Sequence, residues 1–588
     1  DWAEVSQAFY DKHMKERFGP RGLRWRSWLQ PLADVHLYST VDDDEPRANL
    51  YYLYAFAAVA LFILLVACIN YMNLATARST KRAREVGMRK ILGAGRGALI
   101  AQFMCESLLY AAIATVLGLM LVELVFYFTG INNLLNKPLT LHLTQEPELI
   151  AYAALFSLGV GLLAGLYPAL YLSSWQPLTA LVGNKNSDNS SARFRATLVF
   201  TQFTITVLVI ASAILMMQQM RYVANKDLGF EKTNKLIIPW DGYAPFEGSI
   251  GVLQQTETIK NALLQNPRIT GVATSSRSIL GESMIGIAQG ADIAGTTSVE
   301  SLNGSMEDIS AARFVGSMDF PQVMQLQLAE GRYFDPSFGT DAANVIVNEA
   351  LVRRMGWGDQ ALGKKIGEKS VIGVVKDFNF ASLHQSIGPA VIHTNSGDYR
   401  QDTGAVRIIV PLNLVVSVSG EDLRDTITFI EQTLRDIDPA RPFQFAFLDD
   451  LLDTSYQSET NLMQLIGIFA TLCIFISCLG LYGLAAFTTE QRTREIGIRK
   501  VLGASSWQII ALLSRKVLDL VLAGALLGSL LAWLAINKWL SSFAYRAGID
   551  PLAFVIATLA ALAIAYATIA LQSYKAARGD PAQALHYE

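Results

Sequence analysis

The sequence carries little charge for its length. Only 17% of its 588 residues are Asp, Glu, Lys or Arg, and 52% are hydrophobic. A soluble protein usually has about a quarter of its residues charged. The uncharged residues are grouped in separate long runs. A helix needs about 20 apolar residues to cross a bilayer. These runs exclude an ordinary soluble protein and predict seven transmembrane helices, at 51–73, 107–129, 149–172, 196–220, 461–487, 517–537 and 551–573.

Cysteine is scarce, and its positions exclude a disulfide framework. Cys68, Cys105, Cys473 and Cys478 all lie in or beside apolar runs, and none lies in the large polar segment. We interpret them as small apolar side chains packed between helices. The first residues contain neither an initiating Met nor a signal peptide. We therefore expect that the sequence begins inside a longer protein.

Motifs of catalysis and metal binding are also missing. The sequence contains no G-x-S-x-G nucleophile motif, and His384 and His393 stand nine residues apart without Cys or an HExxH motif nearby. We therefore predict no catalytic residue and no metal site. Three acids precede the fifth span and are interpreted as a solvated charge cluster at a helix N-terminus, although binding of a cationic peptide by exposed acids stays open: Asp449, Asp450 and Asp453.

One segment imitates a nucleotide-binding loop. Residues 358–365, GDQALGKK, have the glycine and lysine spacing of a P-loop. Lys365 stands where Ser or Thr would bind Mg²⁺, and a predicted strand follows where a helix is required. We predict that this chain binds no cofactor and is not itself an enzyme.

Basic residues are confined to alternate loops. Residues 78–96 carry seven Lys or Arg and one acid, and residues 488–516 carry a second basic cluster. The long segment 222–459 instead holds 19 basic and 30 acidic residues, a net charge of −11. Because cytoplasmic loops are enriched in Lys and Arg, we predict a multi-pass membrane protein with a defined orientation. The basic loops and the C-terminus are predicted to be cytoplasmic, and segment 222–459 extracytoplasmic.

The large polar segment mixes strand and helix patterns, which predicts an α+β domain. Five runs are typical of strands: KLIIPW, GVATSS, VIVNEA, VIGVVKDF and AVRIIVPLNLVV. Two stretches, 249–265 and 421–437, are predicted helices, and the second is expected to pack on a sheet.

The chain repeats its own layout. Residues 84–94, REVGMRKILGA, and 494–504, REIGIRKVLGA, are identical at eight of eleven positions. A span precedes each copy, and two further spans and a Pro-x-x-Ala-Leu element (177–181 and 581–585) follow it. Such repeats pack as two similar halves about a pseudo-two-fold axis. Because only the second half has a leading span, we expect eight spans in the complete protein.

The predicted fold is therefore a polytopic α-helical membrane protein with an α+β extracytoplasmic domain and two tandem halves. Close helix packing is predicted at Gly161-x-x-x-Gly165 and Gly524-x-x-x-Gly528. The predicted domains are 1–47, the end of a first extracytoplasmic domain; 48–182, a first transmembrane domain; 183–195, a cytoplasmic linker; 196–220, a leading span; 221–459, a second extracytoplasmic domain; and 460–588, a second transmembrane domain with a cytoplasmic tail.

Each copy of the repeated phrase is predicted to form a short amphipathic helix at the inner membrane face. Glu85 and Arg89 are four residues apart in the favourable acid-before-base order, and Gly93 and Gly503 mark helix ends. One interpretation is a helix that lies on the lipid surface. The other is a helix that docks into the same groove of two identical cytoplasmic partners. Near-identity of the copies favours docking, because a lipid surface requires only a basic and apolar character.

These features resemble the ABC transporter permeases of the FtsX-like and MacB-like family. The resemblance covers nearly the whole chain and rests on the two repeated phrases together with ACINYMNLATARS (67–79), LYPALYLSSWQP (166–177), GRYF (331–334), VIVNEALVRRMG (345–356) and VIGVVKDFNF (371–380). It implies FtsX-like transmembrane domains and an outer domain of two lobes, as in the MacB-like periplasmic core. It also implies that the repeated phrases contact nucleotide-binding subunits, through Arg84, Glu85, Gly87, Arg89, Lys90, Gly93, Arg494, Glu495, Gly497, Arg499, Lys500 and Gly503.

The resemblance implies a function and a set of partners. The partners are two copies of a cytoplasmic ABC ATPase, membrane lipid and a periplasmic adaptor or other envelope protein, without nucleic acid. The chain would couple ATP hydrolysis to movement of the outer domains and so extrude a lipid, lipoprotein, peptide or drug. Two alternatives stay open: a relay that controls an envelope hydrolase or sensor without transport, and a membrane-embedded enzyme.

Overall fold

The structure, a computed structural model, describes residues 2–13, 31–32, 50–128, 147–173, 188–240, 249–275, 294–380, 383–394 and 413–577. Both Pro-x-x-Ala-Leu elements and most of segment 1–47 lie outside the described residues. The chain forms two compact units. The sheet domain comprises Asp1–Leu53, Asn225–Gln457 and Phe543–Tyr545, and the helical domain comprises Tyr54–Ala224, Ser458–Ser542 and Arg546–Glu588.

Helices dominate the chain outside the sheet domain. In chain order the helices are α1 (Trp2–His13), α2 (Leu50–Ile91), α3 (Arg96–Phe128), α4 (Pro147–Ser173), α5 (Asp188–Asn225), α6 (Ser249–Leu263), α7 (Phe320–Val323), α8 (Glu349–Met355), α9 (Leu423–Ile437), α10 (Leu448–Ser455), α11 (Gln457–Gln491), α12 (Thr493–Val501), α13 (Ser506–Leu540) and α14 (Pro551–Ala577). Within the described residues, seven of them are long and apolar enough to cross a membrane: α2, α3, α4, α5, α11, α13 and α14. The seven predicted spans are confirmed.

The helices extend further than the predicted spans. Helix α2 has 42 residues and runs from the first span through most of the first repeated phrase. The predicted short helix is therefore wrong for this copy, because residues 74–91 are rich in strong helix formers and hold no proline. The second copy does form a separate helix, α12, one residue after α11. Helix α3 begins at Arg96, ahead of the predicted second span at 107–129.

Glycines bring helices of the helical domain into close contact, as predicted. A Cβ atom added to Gly161 would lie 2.8 Å from Leu108 Cδ2, and one added to Gly165 would lie 2.6 Å from Ser107 Cβ on α3. A Cβ atom on Gly528 would lie only 2.5 Å from the Thr204 carbonyl oxygen of α5. Without side chains at these positions, the helix backbones can approach each other closely.

Polar residues within the spans face neighbouring helices. Asn73 and Gln202 are each 2% exposed, and the Thr206 and Ser477 hydroxyls lie 3.0 Å apart between α5 and α11. Cys68 and Cys473 are buried as predicted. The prediction is wrong for Cys105, which is exposed, because none of the most apolar stretch of α3 is buried against other helices.

The sheet domain contains a mixed sheet of eleven strands. The strands are β1 (Lys235–Pro239), β2 (Ile269–Ser275), β3 (Ala294–Glu300), β4 (Met306–Gly316), β5 (Leu328–Gly331), β6 (Asn344–Asn348), β7 (Lys365–Ile366), β8 (Lys369–Val375), β9 (Ala390–Thr394), β10 (Asn413–Val418) and β11 (Ala446–Phe447). One part has the order β11-β1-β10-β2, and β2 pairs with β4 only through Ser275 and Gly316. Beyond that pair, β4, β3, β7, β8, β6 and β9 form a closed ring, completed by the parallel pair of β4 and β9.

Each part of the sheet has its own hydrophobic core, which agrees with the two lobes that the resemblance implies. The first core includes Leu236, Ile259, Leu414 and Ile430 and is covered by α6 and α9. The second core joins residues of the ring strands, such as Val299 and Val345, with Leu351 of α8 and with Trp357. All five predicted strand runs coincide at least in part with β1, β2, β6, β8 and β10, and both predicted helices are present as α6 and α9.

Candidate functional site: two matched helix ends

Both repeated phrases end in the same backbone turn. We call residues 84–94 the first repeat segment and residues 494–504 the second repeat segment. Gly93 has φ +95° and Gly503 has φ +92°, a left-handed conformation that glycine adopts at little cost. The N–H of Ala94 donates to the Arg89 carbonyl oxygen at 2.9 Å, and that of Ala504 donates to the Arg499 carbonyl oxygen at 2.9 Å. Both copies thus end in a Schellman motif, as glycine at this position predicts.

An ion pair is also repeated. Arg89 Nη2 lies 2.7 Å from Glu85 Oε1 in the first repeat segment. Arg499 Nη2 lies 2.8 Å from Glu495 Oε1 in the second. All four side chains are between 42% and 50% exposed, so each pair contributes little to stability but fixes the direction of its arginine. For Arg84 and Arg494 the structure describes the helical backbone only.

One face of each repeat segment is anchored in the helical domain. Val86 is 2% exposed and Ile496 is 7% exposed. Val86 belongs to a buried cluster with Leu99 and Phe103 of α3 and Ala169 of α4. The adjacent Gly87 and Gly497 are buried as well. The buried valine or isoleucine fixes the rotation of the helix about its axis, so that the other side faces outward.

The outward side of each segment carries three exposed apolar residues. We call Met88, Ile91 and Leu92 the first patch, and Ile498, Val501 and Leu502 the second patch. The exposed fractions are 51%, 57% and 79% in the first patch and 46%, 65% and 80% in the second. Each member of the first patch thus has a counterpart of similar exposure in the second. Each patch is flanked by an arginine and a lysine, Arg89 and Lys90 in the first segment and Arg499 and Lys500 in the second.

Sequence analysis assigned the charged residues and glycines to the site but did not separate the apolar residues into a buried anchor and an exposed patch. The signal was available in the spacing. With 3.6 residues per turn, positions 88, 91 and 92 lie on the side of the helix opposite to Val86. The predicted amphipathic helix therefore has two apolar faces with different surroundings.

Hydrogen bonds to neighbouring residues support both segments, and two of these bonds depend on a residue that is present in only one half, Gln102 or Ser505. In the first half, Lys90 Nζ donates to the Ser173 carbonyl oxygen at 2.6 Å, and Arg89 Nη1 donates to Gln102 Oε1 at 2.7 Å. Desolvation, together with the charge of Arg96, lowers the pKa of the Lys90 amine. The two repeat segments begin 410 residues apart, so Leu512 occupies the position of Gln102 in the second half. A leucine side chain cannot accept such a bond.

The second half instead begins α13 with a capping box. The Ser505 hydroxyl accepts a hydrogen bond from the Gln508 N–H at 3.3 Å, and Gln508 Oε1 accepts one from the Ser505 N–H at 2.9 Å. This arrangement satisfies N–H groups at the start of the helix. The first half has Gly95 at the position of Ser505, so this capping box belongs to the second half alone, while the exposed residues of the two segments are similar.

The GDQALGKK segment does not have the geometry of a nucleotide-binding loop. Residues Gly358–Gln360 form a 3₁₀ turn, and the chain continues into strand β7. Lys364 Nζ lies 3.3 Å from Glu300 Oε1, and the Lys365 N–H donates to Glu300 Oε2 at 3.0 Å. A P-loop instead wraps around a phosphate at the N-terminus of a following helix.

The remaining predicted candidates are separated in the sheet domain. The His384 ring lies 4.0 Å from the Phe543 ring. His393 is buried in β9, and burial, together with Arg313 and Lys369, lowers the pKa of its imidazole to about 3. Asp449 and Asp450 lie in the first turn of α10, where they interact favourably with the helix dipole. No group of three His, Cys, Asp or Glu side chains able to hold a metal is present among the described residues.

Comparison with known proteins identifies the class. The family model described as FtsX-like permease C-terminal matches this chain twice, at residues 57–177 and 467–581. Each match contains one repeat segment and three of the membrane-spanning helices. The chain therefore carries two tandem FtsX-like permease domains, and the resemblance stated from the sequence is confirmed.

Individual relatives agree with this family. The chain is 25% identical over 301 residues to the Macrolide export ATP-binding/permease protein MacB of Marinobacter nauticus, covering 50% of this chain and 46% of that protein. It is 33% identical over 110 residues to the uncharacterized ABC transporter permease YvrN of Bacillus subtilis, covering 19% of this chain and 25% of that protein. The matches therefore span less than half the length of either relative.

A solved structure also matches part of the chain. The periplasmic region of MacB from Actinobacillus actinomycetemcomitans is 16% identical, with a TM-score of 0.26. The match covers 40% of this chain and 97% of that structure.

Proposed function

We propose that this chain is the permease subunit of an ABC transporter and that its two repeat segments dock into two copies of one cytoplasmic ATPase. The observation that carries the proposal is the repetition of a similar exposed surface on both repeat segments. The two segments share their buried anchors, Val86 and Ile496, which serve the fold. They also share an exposed apolar patch and an exposed Glu–Arg ion pair, which contribute little to the fold and are available to a partner.

Docking explains this surface better than contact with lipid does. A helix on a lipid surface needs an apolar face and a basic rim, and many sequences satisfy that requirement. A protein groove instead demands a particular set of side chains in a particular orientation. The matched Schellman turns, ion pairs and exposed residues of the two segments satisfy the stricter requirement.

The charge distribution supports an orientation for this assembly. Residues 78–96 and 488–516, which contain the repeat segments, carry the clusters of Lys and Arg. The segment between α5 and α11, which forms most of the sheet domain, has a net charge of −11 over residues 222–459. By the positive-inside rule, the repeat segments face the cytoplasm of a bacterial inner membrane and the sheet domain lies outside it. ATP and Mg²⁺ are then bound by the ATPase subunits.

The chain also provides covalent routes for transmitting movement. Helix α5 leads into β1 of the sheet domain. At the other end of that domain, α10 is followed by α11, and only Arg492 separates α11 from α12. Closure of the two ATPase subunits on ATP would displace the repeat segments and, through these helices, change the arrangement of the sheet domain. Such transmission between discrete states of packed elements is a known form of conformational coupling. We propose that the movement extrudes a lipid, lipoprotein, peptide or drug.

Purification from native membranes tests this function. Affinity-tagged chain is solubilised in mild detergent, and bound proteins are identified by mass spectrometry, followed by measurement of ATP hydrolysis. We expect one ABC ATPase, at two copies per chain, and hydrolysis that a lipid, lipoprotein, peptide or drug stimulates. If only an envelope hydrolase or sensor stimulates ATP hydrolysis, the result supports the relay function and contradicts transport. Absence of any ATPase in complexes that retain the folded chain would contradict the proposal.

A further inference from the structure

A short loop between two membrane-spanning helices forms part of the sheet domain. Residues 541–550 connect α13 to α14, and Phe543–Tyr545 belong to the compact unit of the sheet domain. The Phe543 side chain is 1% exposed, which is as buried as the cores of that domain. A large apolar residue in a short polar loop is normally partly solvated, so this burial requires a specific receiving surface.

The receiving surface is the segment 383–387, which binds the loop through backbone and ring contacts. The Ala544 N–H donates to the His384 carbonyl oxygen at 3.2 Å, and the Tyr545 N–H donates to the Leu383 carbonyl oxygen at 3.4 Å. In the opposite direction, the Ile387 N–H donates to the Tyr545 hydroxyl at 3.4 Å. The rings of His384 and Phe543 are 4.0 Å apart with an angle of 30° between their planes.

The same place collects two other points at which the chain enters or leaves the sheet domain. Lys226, the first residue after α5, has its amine 4.3 Å from the centre of the Tyr545 ring. Tyr456, the last residue before α11, accepts a hydrogen bond at its hydroxyl from the Leu383 N–H at 2.7 Å. We call Lys226, segment 383–387, Tyr456 and Phe543–Tyr545 the loop clamp. It joins the ends of the connections to α5, α11, α13 and α14.

The loop clamp lies at the end of a direct route from the second repeat segment. That segment is followed at Ser506 by α13, a continuous helix of 35 residues. At 1.5 Å per residue this helix is about 50 Å long, and its C-terminal end leads into Phe543. A displacement of the second repeat segment would therefore reach the loop through one uninterrupted helix. The corresponding loop of the first half, 129–146, lies outside the described residues.

We propose that the loop clamp is a fixed joint through which α13 and α14 move the sheet domain when the partner ATPase binds ATP, with Phe543 as its principal positioning residue. This inference deepens the proposed function and rests on it. A clamp that stays closed transmits displacement in both directions, so that the state of the sheet domain also influences the second repeat segment. Its partners are side chains and backbone groups of this chain alone.

Hydrogen–deuterium exchange of the assembled complex tests the joint. Exchange is measured with and without a non-hydrolysable ATP analogue in wild type, Phe543→Ala and Phe543→Leu. In wild type we expect the analogue to change exchange both at the repeat segments and in the sheet domain. In Phe543→Ala the change at the repeat segments remains and the change in the sheet domain is lost. Phe543→Leu keeps an apolar side chain in the same place, so the change of exchange in the sheet domain is expected to occur in this variant as in wild type.

A disulfide provides the second arm, which does not depend on the stability of Phe543→Ala. Cysteines at positions 384 and 544 are joined in a background in which the four native cysteines are replaced by Ala, and the oxidised and reduced forms of the same protein are compared. The oxidised form keeps the response of the sheet domain if the joint is fixed. Loss of that response on oxidation, or a normal response in Phe543→Ala, overturns the clamp. A complex whose repeat segments never respond to nucleotide contradicts the proposed function instead.

Discussion

Replacing both Arg89 and Arg499 with Glu is expected to abolish co-purification of an ATPase with this chain. Each arginine lies beside an exposed apolar patch and is held by a carboxylate four residues earlier, Glu85 or Glu495. The reversal removes a directed positive charge and places two carboxylates four residues apart, which repel each other. Loss of a central residue of an interface typically costs about 2 kcal/mol or more, or about 30-fold in affinity. Each single variant should therefore retain part of the ATPase, since the other repeat segment remains intact, and the double variant should retain none.

Two controls separate docking from helix stability. Arg435→Glu breaks an equivalent pair with Glu431, at 2.6 Å and four residues apart, on α9 of the sheet domain, and should leave the ATPase bound. Exchanging Glu85 with Arg89 preserves an ion pair within the helix but changes the surface, so it should still weaken binding. Wild-type recovery of ATPase by the double reversal would show that the repeat segments are not its docking site.

Asp341→Asn is expected to cause the largest loss of stability among single charge-removing changes in the sheet domain. The Asp341 side chain is fully buried and accepts hydrogen bonds from Arg332 Nη1 at 2.5 Å, Arg332 Nη2 at 2.7 Å and the Asp335 N–H at 3.0 Å. Arg332 is 40% exposed and stays solvated when the carboxylate is removed, so the loss comes from the hydrogen bonds to the buried charge and amounts to about 2 kcal/mol. Thermal unfolding of the detergent-solubilised chain, with the exposed Asp359→Asn as a control, measures this difference.

The same pair predicts a dependence on pH. The hydrogen bonds from the Arg332 guanidinium lower the pKa of Asp341 from its usual 3.8 to about 2. The charged carboxylate therefore stabilises the fold fully above pH 4, and this contribution of about 2 kcal/mol is lost as the pH falls from 4 to 2. The stability difference between wild type and Asp341→Asn should shrink over that interval. A difference that stays constant from pH 5 to 2 would show that the charge of Asp341 is not what stabilises this site.

Much of the architecture follows from local patterns in the sequence. A membrane span requires an unbroken apolar run, so the seven spans are visible before any packing is known. Gly93 and Gly503 predict where the repeat segments end, because few other residues adopt positive φ cheaply. The strands β1, β6 and β8 each contain a short run of Leu, Ile or Val, which makes them recognisable as buried strands.

The features that sequence reasoning missed depend on contacts between distant residues. Strands β3 and β4 are mixed in polarity, with Thr296, Thr297 and Glu307 among their residues, and their pairing closes a ring that no local pattern specifies. Phe543 is one aromatic residue in a short loop, and only the position of segment 383–387 gives it a role.

Site-specific photo-crosslinking in living cells tests the central claim most directly. A photoreactive amino acid at Leu92 and, in a second variant, at Leu502 replaces the most exposed residue of each patch, 79% and 80% exposed. Phe338, 51% exposed in the sheet domain, provides the control position. We predict that Leu92 and Leu502 each crosslink to the same cytoplasmic ABC ATPase and that Phe338 does not. Crosslinks from either patch to periplasmic proteins, or from both patches to lipid alone, would contradict the account.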